Sequence, residues 1–420
     1  MRTLKSGLLA AGLIIGLSVN QTQAGVNVGG TIDVTYPLVL SGGDAQEGKA
    51  SIWEYDLADR SFMLTHFHPK LTIDISDKVS AEALVCFANL HPASVWNAFM
   101  DYTPFLQEGF GDNPVTLRAG RFFVPFGNNE NLVSPVDMKT ISRPLMYVDH
   151  SQEDMELHGG PRPIFMTPYF DDGLLLYGSK WLREKKDQFW YGVYVVNGRF
   201  YNEGAFEENS RVDIEWESED LPVADPSENK QIGGRIAYSL GKLVTMGGSY
   251  LTGKYDERST LDNTIYGADA RLALGKANLR FEWAQNPVEW IDKSGAETTP
   301  EDLYTLGTEK DYTKTGWYGQ LDFPFDLIFT GSDLAKKFEF AALYSVLEGA
   351  RTESANTHTF NKMSRIATAL SYLPDPALKF KLEYQFTPLT DYNDTAANVA
   401  AYGDNLDDIS RIMLSAGLTF

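Results

Sequence analysis

The chain has a single cysteine, Cys86, among 420 residues. No disulfide can form within it, so strand pairing and packing must supply its stability. Basic residues are scarce: 36 Lys and Arg stand against 57 Asp and Glu, a net charge of −21. No basic surface can dominate, which excludes nucleic acid as a partner. Long apolar runs are missing after residue 24. The one before it, Leu8 to Val19, is short of the roughly 20 apolar residues that a spanning helix needs. There is no Gly-rich phosphate loop, no cysteine pair for haem attachment and no convincing Ser-His-Asp spacing. The chain is therefore read as no enzyme and as carrying no cofactor.

What is present begins with Arg2 and Lys5, followed by the Leu8–Val19 run and Thr22-Gln23-Ala24. A charged start, a short apolar core and a small residue at the end predict a secretory signal peptide over residues 1–24. No cysteine lies near the cut, which argues against a lipid anchor. Residues 25–420 are then the exported chain. Losing two cations takes its net charge to −23. Aromatics make up 13% and glycine numbers 36, a mixture suited to barrels.

Residues 25–420 alternate. In Leu378-Lys379-Phe380-Lys381-Leu382-Glu383-Tyr384-Gln385-Phe386, apolar and polar positions separate onto two faces. Ala277 to Trp283 repeats the pattern, as do Gln231 to Leu240 and Phe338 to Val346. Parallel strands buried on both faces would be apolar throughout, so a doubly wound core is excluded. The pattern predicts sixteen strands at 27–39, 60–75, 79–90, 94–103, 114–124, 172–182, 188–197, 230–240, 243–254, 264–274, 277–288, 313–323, 338–349, 363–373, 377–388 and 409–420. Connections alternate in length: 76–78, 183–187, 241–242, 275–276 and 373–376 are short, with 104–113 and 324–337 longer. The intervening links 40–59, 125–171, 198–229, 289–312, 350–362 and 389–408 are long. This parity predicts an all-β transmembrane antiparallel β-barrel in the outer membrane, one domain, with short periplasmic turns and long extracellular loops.

With the apolar face turned to lipid, the other face lines the lumen. It carries Lys70, Arg118, Arg235, Arg271, Arg280, Arg365, Lys379, Lys381 and Arg411 against Asp74, Glu82, Asp269, Glu282, Asp322, Glu339 and Glu383. Rings of wall charge set ion preference in pores, and near balance implies weak selectivity. Arg118, Arg280, Lys379 and Lys381 would attract anions; Glu82, Glu282 and Glu383 would oppose them. The negative excess falls in loops, as at Glu203 to Asp220 and Asp391 to Asp408. Loop 125–171 is long enough to imply a function, and its Lys139, Arg143 and Arg162 are candidate constriction residues. An extracellular cap outside the lumen is the alternative. His66 and His68 share a strand face, but without a third ligand nearby no metal site is assigned. His150 and His158, among loop carboxylates, are read as solvated.

The terminal strand, Ile409 to Phe420, resembles the closing strand recognised by the barrel-insertion machinery: alternating apolar residues, a glycine and a last Phe420. Gly120-Arg121-Phe122-Phe123-Val124-Pro125-Phe126-Gly127 resembles the strand-to-loop segment of the phosphate-selective porin O and P family. That resemblance implies a homotrimer and passive anion-preferring diffusion. Loop 125–171, the third external loop, resembles in order and length the third loop of general porins, which folds into the barrel and narrows it. Acids interrupt the basic ladder here, so phosphate specificity is not carried over. A looser resemblance, in Arg143-Pro144-Leu145-Met146-Tyr147 and Pro161 to Phe165, is to barrels that sheath a multihaem c-type cytochrome in electron conduits.

Overall fold

The computed structural model describes residues 25–41, 62–88, 91–104, 114–128, 132, 134–149, 163–167, 169–183, 186–198, 230–254, 261–289, 291–292, 308–309, 311–349, 362–388 and 409–420. The signal peptide, Arg162, His150, His158 and the two acidic loop stretches lie outside them.

The strands are β1 Gly25–Ser41, β2 Met63–Ser76, β3 Val79–Ala88, β4 His91–Tyr102, β5 Val115–Phe123, β6 Tyr147–Asp149, β7 Phe165–Thr167, β8 Phe170–Leu182, β9 Asp187–Val196 and β10 Gln231–Leu240. They continue with β11 Val244–Lys254, β12 Asp262–Leu274, β13 Ala277–Val288, β14 Ile291–Asp292, β15 Thr308–Glu309, β16 Tyr312–Pro324, β17 Phe338–Glu348, β18 Lys362–Asp375, β19 Leu378–Thr387 and β20 Ile409–Thr419. Sixteen of them close a barrel in chain order, from β1–β5 through β8–β13 to β16–β20. β20 returns to β1, with Ala416 opposite Val34 and Leu418 opposite Ile32. The remaining four form two small sheets, β6 beside β7 and β14 beside β15. Closure gives each described barrel strand a partner on both sides, which is the condition for a sheet to sit in lipid.

The period-two pattern sorts as the sequence predicts. Leu279, Phe281, Phe380, Leu382, Tyr384, Leu414 and Leu418 point outward and are exposed. Their neighbours Glu282, Lys381, Glu383 and Ser415 point inward and are buried. Register carries one face from strand to strand: Asp269 faces Glu282, Arg271 faces Arg280, Lys381 faces Ser415.

Loop parity holds apart from the long β4–β5 and β16–β17 links expected on the short side and one short link on the long side. β3 and β4 are joined on the long-loop side by residues 89–90 alone. On the short side, the 324–337 link contains two 3₁₀ turns, Phe325–Leu327 and Ala335–Lys337. The expected strand at 94–103 begins earlier, at His91, and bulges: Leu84 pairs Asn97 while Val85 pairs Val95, leaving Trp96 out of register. A bulge shifts the alternation by one residue, which is why this strand was weakly patterned in sequence.

Candidate pore constriction

β5 delivers the chain to the barrel interior through the Gly120–Gly127 motif. Gly120 has φ 122°, and a side chain there would collide with the Ala98 carbonyl. Arg121 pairs with Asp172 at 2.6 Å, while Phe122 is fully buried. Val124, Pro125 and Phe126 are buried in turn. Gly127 has φ 48°; its Cβ would fall on the Glu282 carboxylate, and its N–H donates to Ser249 Oγ at 3.1 Å. Each glycine of the motif therefore answers a backbone requirement.

Beyond it the segment folds against the inward wall as a small apolar core. Val124, Phe126, Leu145, Met146, Tyr147, Ile164, Phe165 and Tyr169 pack on Tyr194, Val196, Leu251, Ile265, Leu343 and Leu347. Phe165 lies 4.6 Å from Phe126 and 5.1 Å from Tyr147, centroid to centroid.

Polar contacts fix the segment to the far wall. Glu282 on β13 accepts from Asn128 N at 3.3 Å, Asn128 Nδ2 at 3.2 Å and Tyr147 OH at 2.5 Å. Asn128 Nδ2 also donates to Tyr318 OH at 3.1 Å. Burial, followed by the Glu282 charge, holds the Tyr147 phenol well above its ordinary range, so it stays a donor. Glu383 on β19 accepts from Ile141 N at 2.5 Å, Ser142 N at 3.0 Å and Ser142 Oγ. Lys381 donates to the Pro135 carbonyl and Lys379 to that of Val136 at 2.6 Å. Lys139 pairs with Glu339 of β17 at 2.5 Å. Arg143 donates twice to the Leu132 carbonyl, at 3.0 and 2.9 Å, and its own carbonyl accepts from Arg365 at 3.4 Å. These strands lie across the barrel from β5, since β17 is halfway round the ring of sixteen.

The placement differs from the sequence expectation in one respect. Glu282, Glu383 and Lys381 are buried under the segment, and Arg143 is buried within it, rather than open to water. The expectation treated Glu282, Glu383 and Lys381 as free wall charges, because alternation in their own strands does not show which distant segment covers them; Arg143 was expected in the constricting loop. The other wall residues pair among themselves. Lys70 meets Glu82 at 2.8 Å, Arg118 meets Asp101 at 2.8 Å, and Arg280 stands 4.0 Å from Asp322. Arg235 meets Asp269 and Ser249 Oγ, and Arg271 donates to Asn278 at 3.0 Å. Arg118 also lies over the Phe99 ring at 3.6 Å. Arg411 is buried opposite Gln385.

Sequence reasoning missed Asp101, Asp33, Asn128, Tyr147 and Tyr318. Asp101 sits on the bulged strand, and Asp33 accepts from Ser415 at 2.6 Å. A signal for the covered wall did exist. Tyr191 to Val196 is apolar on both faces, which a strand between lipid and water would not be. His66 and His68, 4.9 Å apart, pack against Trp96, and His68 Nε2 lies 3.2 Å from Cys86 Sγ.

A family model, phosphate-selective porin O and P, matches residues 70–414. The chain belongs to that family. It is an outer-membrane channel protein. No curated protein matches it by sequence. Among solved structures it is similar to an anion-selective porin from Comamonas acidovorans, with 12% identity, TM-score 0.55, and 95% of this chain and 100% of that one covered. It is similar to the outer membrane channel DcaP of Acinetobacter baumannii, with 10% identity, TM-score 0.52 and coverage of 96% and 100%. It also resembles the trimer form of OmpT, an outer membrane protein of Vibrio cholerae, with 8% identity, TM-score 0.51 and coverage of 95% and 100%. At such identities these likenesses establish the fold.

Proposed function

We propose that this family member is a narrow passive pore for small ions and polar solutes, constricted by the segment 124–147. The observation that carries this reading is the double fixation of the segment by Glu282 and Glu383, across the barrel from the strand that delivers it. Selectivity is weak and slightly anionic. Lys70, Arg118, Arg235, Arg271 and Arg280 line the remaining passage with Glu82, but nearly every cation has an acceptor within reach. A tight pair presents a dipole, whose field fades faster than that of a lone charge. Lys379, Lys381, Glu383, Arg411 and Arg143 act as supports of the constriction, with Lys139 at its edge. A trimer, the form in which OmpT is described, is the proposed assembly. The occupied interior counts against a cytochrome sheath, which needs an open lumen.

Reversal potentials of the purified protein in planar bilayers under a salt gradient test this reading. Stable ohmic steps with a modest anion preference are expected. Absence of conductance, together with a co-purifying haem-staining partner, would replace the pore by the sheath.

A further inference from the structure

The periplasmic link between β16 and β17, residues 325–337, is long for its side of the barrel and unusually apolar. Leu327, Ile328, Phe329 and Leu334 are 47, 59, 57 and 63% exposed. Such exposure is ordinary on the lipid-facing wall, where Phe281 is 45% exposed. On a turn in water it calls for an occupant.

Three observations identify one. First, the apolar surface continues the lipid-facing belt. Phe325 touches Phe329 and Phe338, each at 6.2 Å; Phe338 stacks on Tyr372 at 4.9 Å, and Tyr372 on Phe380 at 6.4 Å. Second, the backbone of the turn bonds internally: Ile328 N and Phe329 N donate to the Phe325 carbonyl, Lys336 N to that of Ser332 and Lys337 N to that of Leu334. Internal satisfaction is what a water-poor environment demands. Third, the turn is held along the rim from both sides. Asp326 pairs with Lys276 of the β12–β13 turn, and Lys337 donates to the Pro374 carbonyl at the end of β18 at 3.5 Å.

We propose that residues 325–334 form an interfacial foot seated in the periplasmic leaflet, with phospholipid as its occupant. Leu327, Ile328, Phe329 and Leu334 enter the headgroup–acyl boundary, where apolar and aromatic side chains are favoured. Lys337 follows at headgroup level, placed to meet anionic lipid, while Lys336 beside it pairs with Asp333 at 2.7 Å. The inference concerns the outer surface and does not depend on what the lumen conducts.

Spin labels at Ile328→Cys and, separately, Leu334→Cys test it, with Cys86 replaced by Ser and the full chain in phosphatidylethanolamine–phosphatidylglycerol vesicles. Heat-modifiable migration on gels verifies folding, and either site reads the same surface if the other variant fails. Labels at Phe380→Cys and Lys242→Cys mark lipid and water. The foot predicts relaxation by oxygen with loss of relaxation by a water-soluble nickel complex, as at Phe380→Cys. Nickel access equal to Lys242→Cys would place the turn in water. Loss of access to both reagents would mean that protein, and not lipid, covers it. Either result overturns the proposal.

Discussion

Glu383 holds the proposed constricting segment through three donors from two consecutive residues, Ile141 and Ser142. Hydrogen bonds to a charged group contribute about 1.5–3 kcal/mol each, so losing even one shifts the seated-to-released equilibrium by about ten-fold or more. Glu383→Ala should therefore raise single-channel conductance and add flicker. Tyr147→Phe removes one bond to Glu282, worth about 1–3 kcal/mol of anchoring; limited proteolysis should cut the 128–147 segment faster than in the parent. Asp101→Asn frees Arg118 from its bidentate partner at 2.8 Å, and the reversal potential should move toward anions. Little of this residue detail was legible beforehand. Lys381 and Glu383 could be assigned to the inner face from alternation, but their partners come from a segment about 240 positions away in sequence. Local periodicity carries no information about such contacts.

At the scale of elements, the eight residues from Gly120 to Gly127 join the wall to the proposed constriction. Two left-handed glycines bracket a buried Phe122–Phe126 run. Gly127→Ala should leave the barrel folded, with its heat-modifiable migration intact, yet displace the Glu282 carboxylate and widen the pore, as conductance would read. The strands themselves were legible because each obeys a two-residue period enforced by lipid outside and polar groups inside. The pattern is weakest where that premise fails. β4 bulges at Trp96, and β9 turns Tyr194 and Val196 into an internal apolar core. The parallel contact of β6 with β7, at Tyr147–Phe165, had no sequence signature, since three-residue strands are too short for periodicity to register.

At the scale of the whole molecule, the closing contact of β20 with β1 fixes the two rims, and the family relationship fixes the role as a channel. The chain carries −21 overall, yet its described inner wall holds opposite-charge pairs at Lys70–Glu82, Arg118–Asp101, Arg235–Asp269 and Arg280–Asp322. Weak selectivity should therefore fade further as salt rises, because the screening length falls from about 10 Å at 0.1 M to about 3 Å at 1 M. The central claim is that the segment 124–147, latched by Glu383, sets the bore. The most direct measurement is the single-channel conductance of Glu383→Ala beside the parent in the same planar bilayer and salt. A larger conductance with an intact, heat-modifiable barrel is predicted; a conductance equal to the parent's would contradict the account.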